Sequence, residues 1–406
     1  MRSSARSICL VTSTARCGTR YARTSRSTRP SRSPLPRKVY LDWLRGVAVV
    51  IMVAAHVTDA WTRQEDRGRM LYMYVVFIAG LAAPLFLFLA GLTLSMAASS
   101  RASKVGHAAA ASMARWRGLQ IFGLAFLFRL QSQLLGWGAF INFLKVDILN
   151  VMGVTMIAAA IIWGLSQDRT VRIVMFAIAT IVVAMSTPLV REAGMLAGLP
   201  DAIESYIRPL PGRTNFALFP WSGFLLGGAI AGELVFAART DRDERRLQVS
   251  LLAAGIIGIV AGYAASFRPS IYPVANFWTS SPTFFFVRLG ICTAMLPAAK
   301  AIDALHGFAR RNFAQYFSKH YFSEPDVPGR VITTLGRSSL FVYWIHVEMA
   351  YGGLSRPLKH ALPLEISLLG WVALCALLYA IVRWKDRKMQ SVTLTGPYRV
   401  LAPILK

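Results

Sequence analysis

The sequence predicts an all-α, polytopic integral membrane bundle of about ten transmembrane helices, and three observations carry that prediction. Apolar runs long enough to cross a bilayer, about 18 residues or more, recur along the 406-residue chain. Hydrophobic residues make up 55% of it and charged residues only 16%, against roughly 25% charged in a soluble domain. Basic residues also gather in alternate connections between the runs, the pattern that orients membrane proteins.

The predicted spans, in order, are 40–61, 71–98, 117–136, 146–165, 171–190, 215–238, 249–266, 283–303, 331–351 and 361–384. The connections after the second, sixth and eighth are basic: Arg101, Lys104, Arg115 and Arg117; then Arg239, Arg242, Arg245 and Arg246; then Arg310, Arg311, Lys319 and Arg330. With basic tails at both ends, this predicts cytoplasmic N- and C-termini and, for a bacterial chain, the inner membrane. The 191–214 connection, with balanced charge and Pro200, Pro209 and Pro211, is the longest external loop.

The net charge of +26 is not read as a nucleic-acid signal. Residues 1–38 contain many Arg and no Asp or Glu, and most of the remaining excess follows the alternate-loop pattern. Residues 1–38 form a basic disordered tail, with an organelle leader or a mis-called start as the other readings, and 39–406 form the membrane domain. Cys9, Cys17, Cys292 and Cys375 have no CxxC or metal-ligand spacing. No permanently bound cofactor or metal is expected.

The first span, YLDWLRGVAVVIMVAAHVTDAW, is the most informative. Successive helix residues turn by about 100°, so Asp42, Arg45, His56 and Asp59 share one stripe roughly 100° wide. An ionisable group at mid-membrane costs roughly 2.5–3.5 kcal/mol or more unless it faces a polar interior. The stripe therefore lines a cavity, a relay or a path; an interfacial ion pair is the plain alternative for Asp42 and Arg45. Arg45 and His56 are separated by roughly 16 Å of helix.

Span nine carries a second stripe, with Ser339, Tyr343 and His346 on one face and Glu348 at its outer end. Asp147 and Asn150 open span four, and Asn215, Pro220 and Trp221 open span six. Arg129, inside span three and followed by Gln131 and Gln133, faces an anionic group. Gly223, Gly227, Gly228 and Gly232 indicate close helix packing. By this topology His56, Asp59, Asp147, Asn150, Asn215, His346 and Glu348 lie toward the outside, and Arg45, Arg101, Lys104, Arg115, Arg117 and Arg337 toward the cytoplasm.

LDWLRGVAVVIMVAAHVTDAW and APLFLFLAGLTLSMA (83–97) resemble the opening of the heparan-alpha-glucosaminide N-acetyltransferase catalytic-domain family. DILNVMGVTMIAAAII (147–162), FPWSGFLLGGAIAGELV (219–235) and LGRSSLFVYWIHVEMAYG (335–352) are similar to later blocks in the same order. The resemblance implies acetyl transfer from cytoplasmic acetyl-CoA to an amino sugar or other glycan on the far side of the bilayer. His56, Asp59 and His346 are the catalytic candidates. Arg45, Arg117, Arg337 and Arg129 are candidates for CoA, and Asp147, Asn150, Asn215 and Trp221 for the acceptor. Animal lysosomal members are expected to use a histidine in the lumenal loop after this helix; here 62–70 contains none. A neutral imidazole suits the chemistry, as base or as acyl carrier, with Asp59 available to orient it. A secondary transporter, its stripes lining a substrate or proton path, is the alternative from another class. The sequence leaves homo-oligomerisation open.

Overall fold

The computed structural model describes residues 38–136, 143–313 and 327–389. Among these residues the secondary structure is helical, apart from two single-residue bridges, Thr62 with Leu362 and Val146 with Thr214. The α-helices are α1 (Val39–Trp61), α2 (Met70–Ala79), α3 (Ala82–Val105), α4 (His107–Gly136), α5 (Ile148–Gly164), α6 (Arg169–Glu192) and α7 (Asp201–Ile207). They continue with α8 (Leu218–Ala237), α9 (Asp241–Ser266), α10 (Pro282–Phe313), α11 (Val327–Arg337), α12 (Ser339–Tyr351) and α13 (Leu364–Met389). By length and composition, seven described helical stretches can cross a membrane, with α2 and α3 counted together. The predicted tail 1–38 lies, but for Lys38, outside the described residues.

Two predicted spans are broken. The 71–98 run is interrupted at Gly80 and Leu81, between α2 and α3. Pro84, in the first turn of α3, has no N–H to offer the Gly80 carbonyl, and its ring crowds the preceding turn. The 331–351 run bends at Ser338, whose hydroxyl receives the Lys385 ammonium at 3.0 Å; an inserted side chain is a common cause of a helix bend. The other runs appear with boundaries shifted by up to ten residues, the largest shifts extending α4, α9 and α10 beyond the apolar run.

In α1 and α8, 61% of the most apolar window is buried, but in α9 only 17%. The first two are therefore central, and α9 is peripheral. Along its length α1 contributes to three apolar clusters: Tyr40, Leu41, Leu44 and Ala48 to one, Met52 to another, and Val49, Val53, Val57 and Trp61 to the third. Of its polar stripe, Asp42 is buried, Arg45 and His56 are half-buried, and Asp59 at the far end is exposed.

Close backbone approach sets the helix positions. A Cβ at Gly46 would stand 1.9 Å from the Ile332 carbonyl oxygen, and one at Gly336 would stand 2.0 Å from that of Asp42. Only glycine at both positions lets α1 and α11 touch there. Gly91 and Gly228 do the same for α3 and α8. The indole of Trp61 donates to the Ala350 carbonyl at 3.0 Å, and that of Trp371 to the Val50 carbonyl at 3.0 Å, tying α1 to α12 and α13.

Candidate active site

The helix contacts just described bring the histidines of α1 and α12 together. His56 Nδ1 lies 2.7 Å from His346 Nε2, with the rings nearly parallel at 10° and their centroids 4.9 Å apart. His346 is fully buried, and its Nδ1 lies 2.9 Å from the Val342 carbonyl oxygen. A carbonyl only accepts, so His346 Nδ1 carries a proton there. In a neutral His346 ring Nε2 must then accept, and His56 Nδ1–H donates to it. That tautomer leaves a lone pair on His56 Nε2. The hydrogen-bond chain fixes the orientation of the His56 ring.

Asp59, one turn beyond His56, accepts from Tyr351 at 2.7 Å and lies 3.9 Å from Arg67. The Tyr351 ring meets His56 edge-on at 5.5 Å. The hydrogen-bond partner of His56 is thus His346, and Asp59 adjoins the ring through Tyr351. Arg67 also bonds the Asp59 carbonyl at 2.6 Å and His360 Nδ1 at 2.8 Å. The strap that carries His360 crosses the end of α1, with His360 N–H donating to the Ala60 carbonyl at 2.9 Å.

On the other side of the pair, Tyr343 packs edge-on to His346 at 5.7 Å and donates to Asp147 at 3.4 Å. Asp147 also receives Arg129 at 2.8 Å. Two polar atoms beside this wall, Arg129 Nε and Glu348 Oε1, are buried without a hydrogen-bond partner among the described residues.

Not every candidate joins this cluster. The i,i+3 spacing of Asp147 and Asn150 is a capping box that starts α5, and the Asn150 amide also donates to Tyr206 at 3.1 Å. Asn150 is thus buried and already bonded through both ends of its amide. Asn215 is exposed, and its main-chain N–H pairs with the Val146 carbonyl at 2.9 Å. Trp221 packs against Phe216 and Phe224.

The arginines divide between two places. At the start of α1, buried Asp42 sits between Arg45 at 3.7 Å and Arg337 at 3.5 Å. Arg101 lies near the end of α3, whose Leu89 and Leu92 pack with Tyr40 and Leu44 of α1, and Arg117 follows on α4, so both lie toward the same end. Arg129, expected with them, is paired to Asp147 beside Tyr343 instead. Arg117 and Arg129 are 12 residues apart on one helix, about 18 Å along its axis, so a single ligand headgroup does not bridge them.

Two features escaped the sequence reading. Tyr351 lies beyond the stripe recognised on span nine and donates to Asp59 across 292 residues of chain. Glu233 lies within the apolar run of α8 and is fully buried. A carboxylate in such a run is itself a signal, but its partner Arg172 stands at the very start of the predicted 171–190 span, where a cation is ordinary.

The family model described as heparan-alpha-glucosaminide N-acetyltransferase, catalytic, matches residues 37–262. That stretch contains Arg45, His56, Asp59, Arg117, Arg129, Asp147, Asn150, Asn215 and Trp221, while Arg337 and His346 lie beyond it. No curated protein matches the chain. The match covers more than half the sequence and agrees with a helical bundle able to cross the bilayer, so the chain belongs to the heparan-alpha-glucosaminide N-acetyltransferase catalytic-domain family and is a membrane acetyltransferase.

Proposed function

We propose that this protein moves an acetyl group from cytoplasmic acetyl-CoA to an amino sugar or other glycan on the extracytoplasmic side, with His56 as the base. The observation that carries the reading is the chain from His56 Nδ1 through His346 to the Val342 carbonyl, which leaves His56 Nε2 able to accept a proton.

In this mechanism the acceptor amine or hydroxyl attacks the thioester carbonyl as His56 Nε2 takes its proton. The new bond to the acetyl carbon forms, the C–S bond breaks, and CoA leaves as the thiolate, which the imidazolium can protonate. His346 holds the tautomer and orientation of His56. Tyr351, Asp59 and Asp147 face the imidazolium that forms. A variant in which His56 is itself acetylated uses the same lone pair.

Arg45, Arg101, Arg117 and Arg337 suit the phosphates of CoA, for which guanidinium groups are good partners. Phosphates held at the Arg45 end and a thioester at His56 require a long donor, and the pantetheine arm of CoA is one. Arg129 Nε and Glu348 Oε1 await polar groups of an acceptor. Asp147, Asn150, Asn215 and Trp221 frame the acceptor side, with Asn150 acting through the cap of α5. The accompanying topology has about ten crossings and both termini in the cytoplasm.

The test is acetyl transfer from labelled acetyl-CoA by purified protein, with and without a small amino sugar. Acceptor-dependent labelling supports the proposal. A protein that moves a solute and never consumes acetyl-CoA is a transporter.

A further inference from the structure

The most heavily bonded buried charge lies outside the site described above. Oε1 of Glu233 receives Ser95 Oγ at 2.5 Å, Ser99 Oγ at 2.9 Å and Trp163 Nε1 at 2.8 Å. Its Oε2 receives Arg172 Nη2 at 2.7 Å, with Arg169 Nε at 3.9 Å. Arg172 Nη1 donates to the carbonyls of Ser166 and Gln167 at 3.1 and 2.8 Å, and its guanidinium lies 5.0 Å from the Trp163 ring centre. His107, the first residue of α4, stacks on Trp163 at 4.4 Å and bonds the Ser166 carbonyl at 3.0 Å.

One carboxylate therefore joins α3, α5, α6 and α8, and through Trp163 and Ser166 it reaches the start of α4. The α3–α4 hairpin, which turns at Gly106 in the left-handed region with φ of 89°, is pinned on both arms. Those arms carry the donor-side arginines: Arg101 follows Ser99 by two residues, and Arg117 follows His107 by ten. Leu89 and Leu92 of α3 pack with Tyr40 and Leu44 of α1 in one buried cluster, which directs the α3–α4 hairpin toward the Arg45 end of α1. Like charges held together repel, and an unpinned hairpin would relieve that repulsion by opening. A rigid backbone is needed to keep the cluster in place before an anion arrives.

We infer that Glu233 is a positioning residue for the acyl donor: by pinning the α3–α4 hairpin it holds Arg101 and Arg117 against Arg45 to form a preorganised site for the CoA phosphates. The inference rests on the donor reading above and adds a residue that touches no donor atom.

The test is direct binding of unacetylated coenzyme A to the purified full chain by equilibrium dialysis, alongside steady-state acetyl transfer. Glu233→Gln should weaken coenzyme A binding and raise the KM for acetyl-CoA by about ten- to a hundredfold, the size expected for breaking charged hydrogen bonds. The acceptor KM and the kcat at saturating donor should stay within about twofold, and Glu233→Asp should recover part of the loss; a general loosening of the fold would move both KM values together. If Glu233→Gln does not fold, Ser99→Ala and Trp163→Phe each remove one bond and should weaken coenzyme A binding several-fold. Unchanged coenzyme A binding in the variants, or a fall in kcat with the donor KM unmoved, overturns the inference. Wild-type protein that binds no coenzyme A overturns the donor reading itself.

Discussion

His56 and His346 share one hydrogen bond, but removing them has different consequences. In the proposed mechanism His56→Ala removes the lone pair that takes the proton, so turnover should fall by about two to four orders of magnitude, the usual size of a general-base contribution. Coenzyme A binding should survive, because Arg45 is roughly 16 Å away along α1. His346→Ala removes only the group that orients His56 and should cost less. His346→Gln should restore part of that loss, because its amide oxygen can accept from His56 Nδ1. Asp59→Asn, which acts through Tyr351, should cost least of the three. Single-turnover measurements check this order, and a loss in His346→Ala exceeding that in His56→Ala would move the base to α12. At the other end of α1, neutralising Arg45 or Arg117 should raise the KM for acetyl-CoA more than that for the acceptor. Unchanged donor binding in both variants would remove the arginines from the donor site.

Between helices, backbone contact and a capped strap do the positioning. Gly46→Val would drive a side chain into the Ile332 carbonyl, where even a Cβ stands 1.9 Å away. Overpacking of this kind costs about 1–3 kcal/mol. Because α11 also carries Arg337 to Asp42, the variant should lose donor affinity together with thermal stability. A variant with a normal melting temperature and normal donor affinity would show that the contact matters little.

The strap at the opposite end is held by Asp66. Its carboxylate accepts the Leu364 N–H at 3.0 Å and is paired with Arg63 at 2.9 Å and Arg69 at 3.4 Å. The Leu364 hydrogen bond first, and then the two arginines, hold this carboxyl below its ordinary range. A depressed folded value means that the stabilisation is fully present above the unfolded aspartate value of about 3.9. It is lost as pH falls through the lower folded value. Asp66→Asn should therefore lower the melting temperature at neutral pH, and its difference from wild type should shrink as pH falls below about 4. A pH-independent difference would show that the charge on Asp66 is not what holds the strap.

For the whole molecule, the proposed reaction needs the arginine cluster and the histidine pair on opposite sides of one membrane. In a cysteine-free background, Arg242→Cys, in the first turn of α9, should react with an impermeant thiol reagent only from the cytoplasmic side. Met195→Cys, at a position 86% exposed beyond α6, should react only from outside. Labelling of both from the same side would contradict the alternation on which the orientation rests.

Helical class, membrane character and family were legible in the sequence because each depends on local pattern: apolar run length, composition, and the order of short blocks. The stripe of Asp42, Arg45, His56 and Asp59 was equally legible, since a helix has a fixed angle per residue. What lies opposite that stripe is not a local property. His346 is 290 residues from His56 in the chain, and the pair depends on α12 being set against α1 at the correct height. The i,i+3 spacing of Asp147 and Asn150 serves as a helix cap, a use the sequence does not separate from a pair of ligands because the two share one spacing. Arg129 parted from the other arginines because only packing shows which height on a long helix meets which neighbour. Glu233 and Arg172 form one centre although the sequence puts one in an apolar run and the other after a turn. Tertiary structure decided these pairings because desolvated charges require partners, and which partner is within reach is set by helix packing rather than by neighbours in the chain.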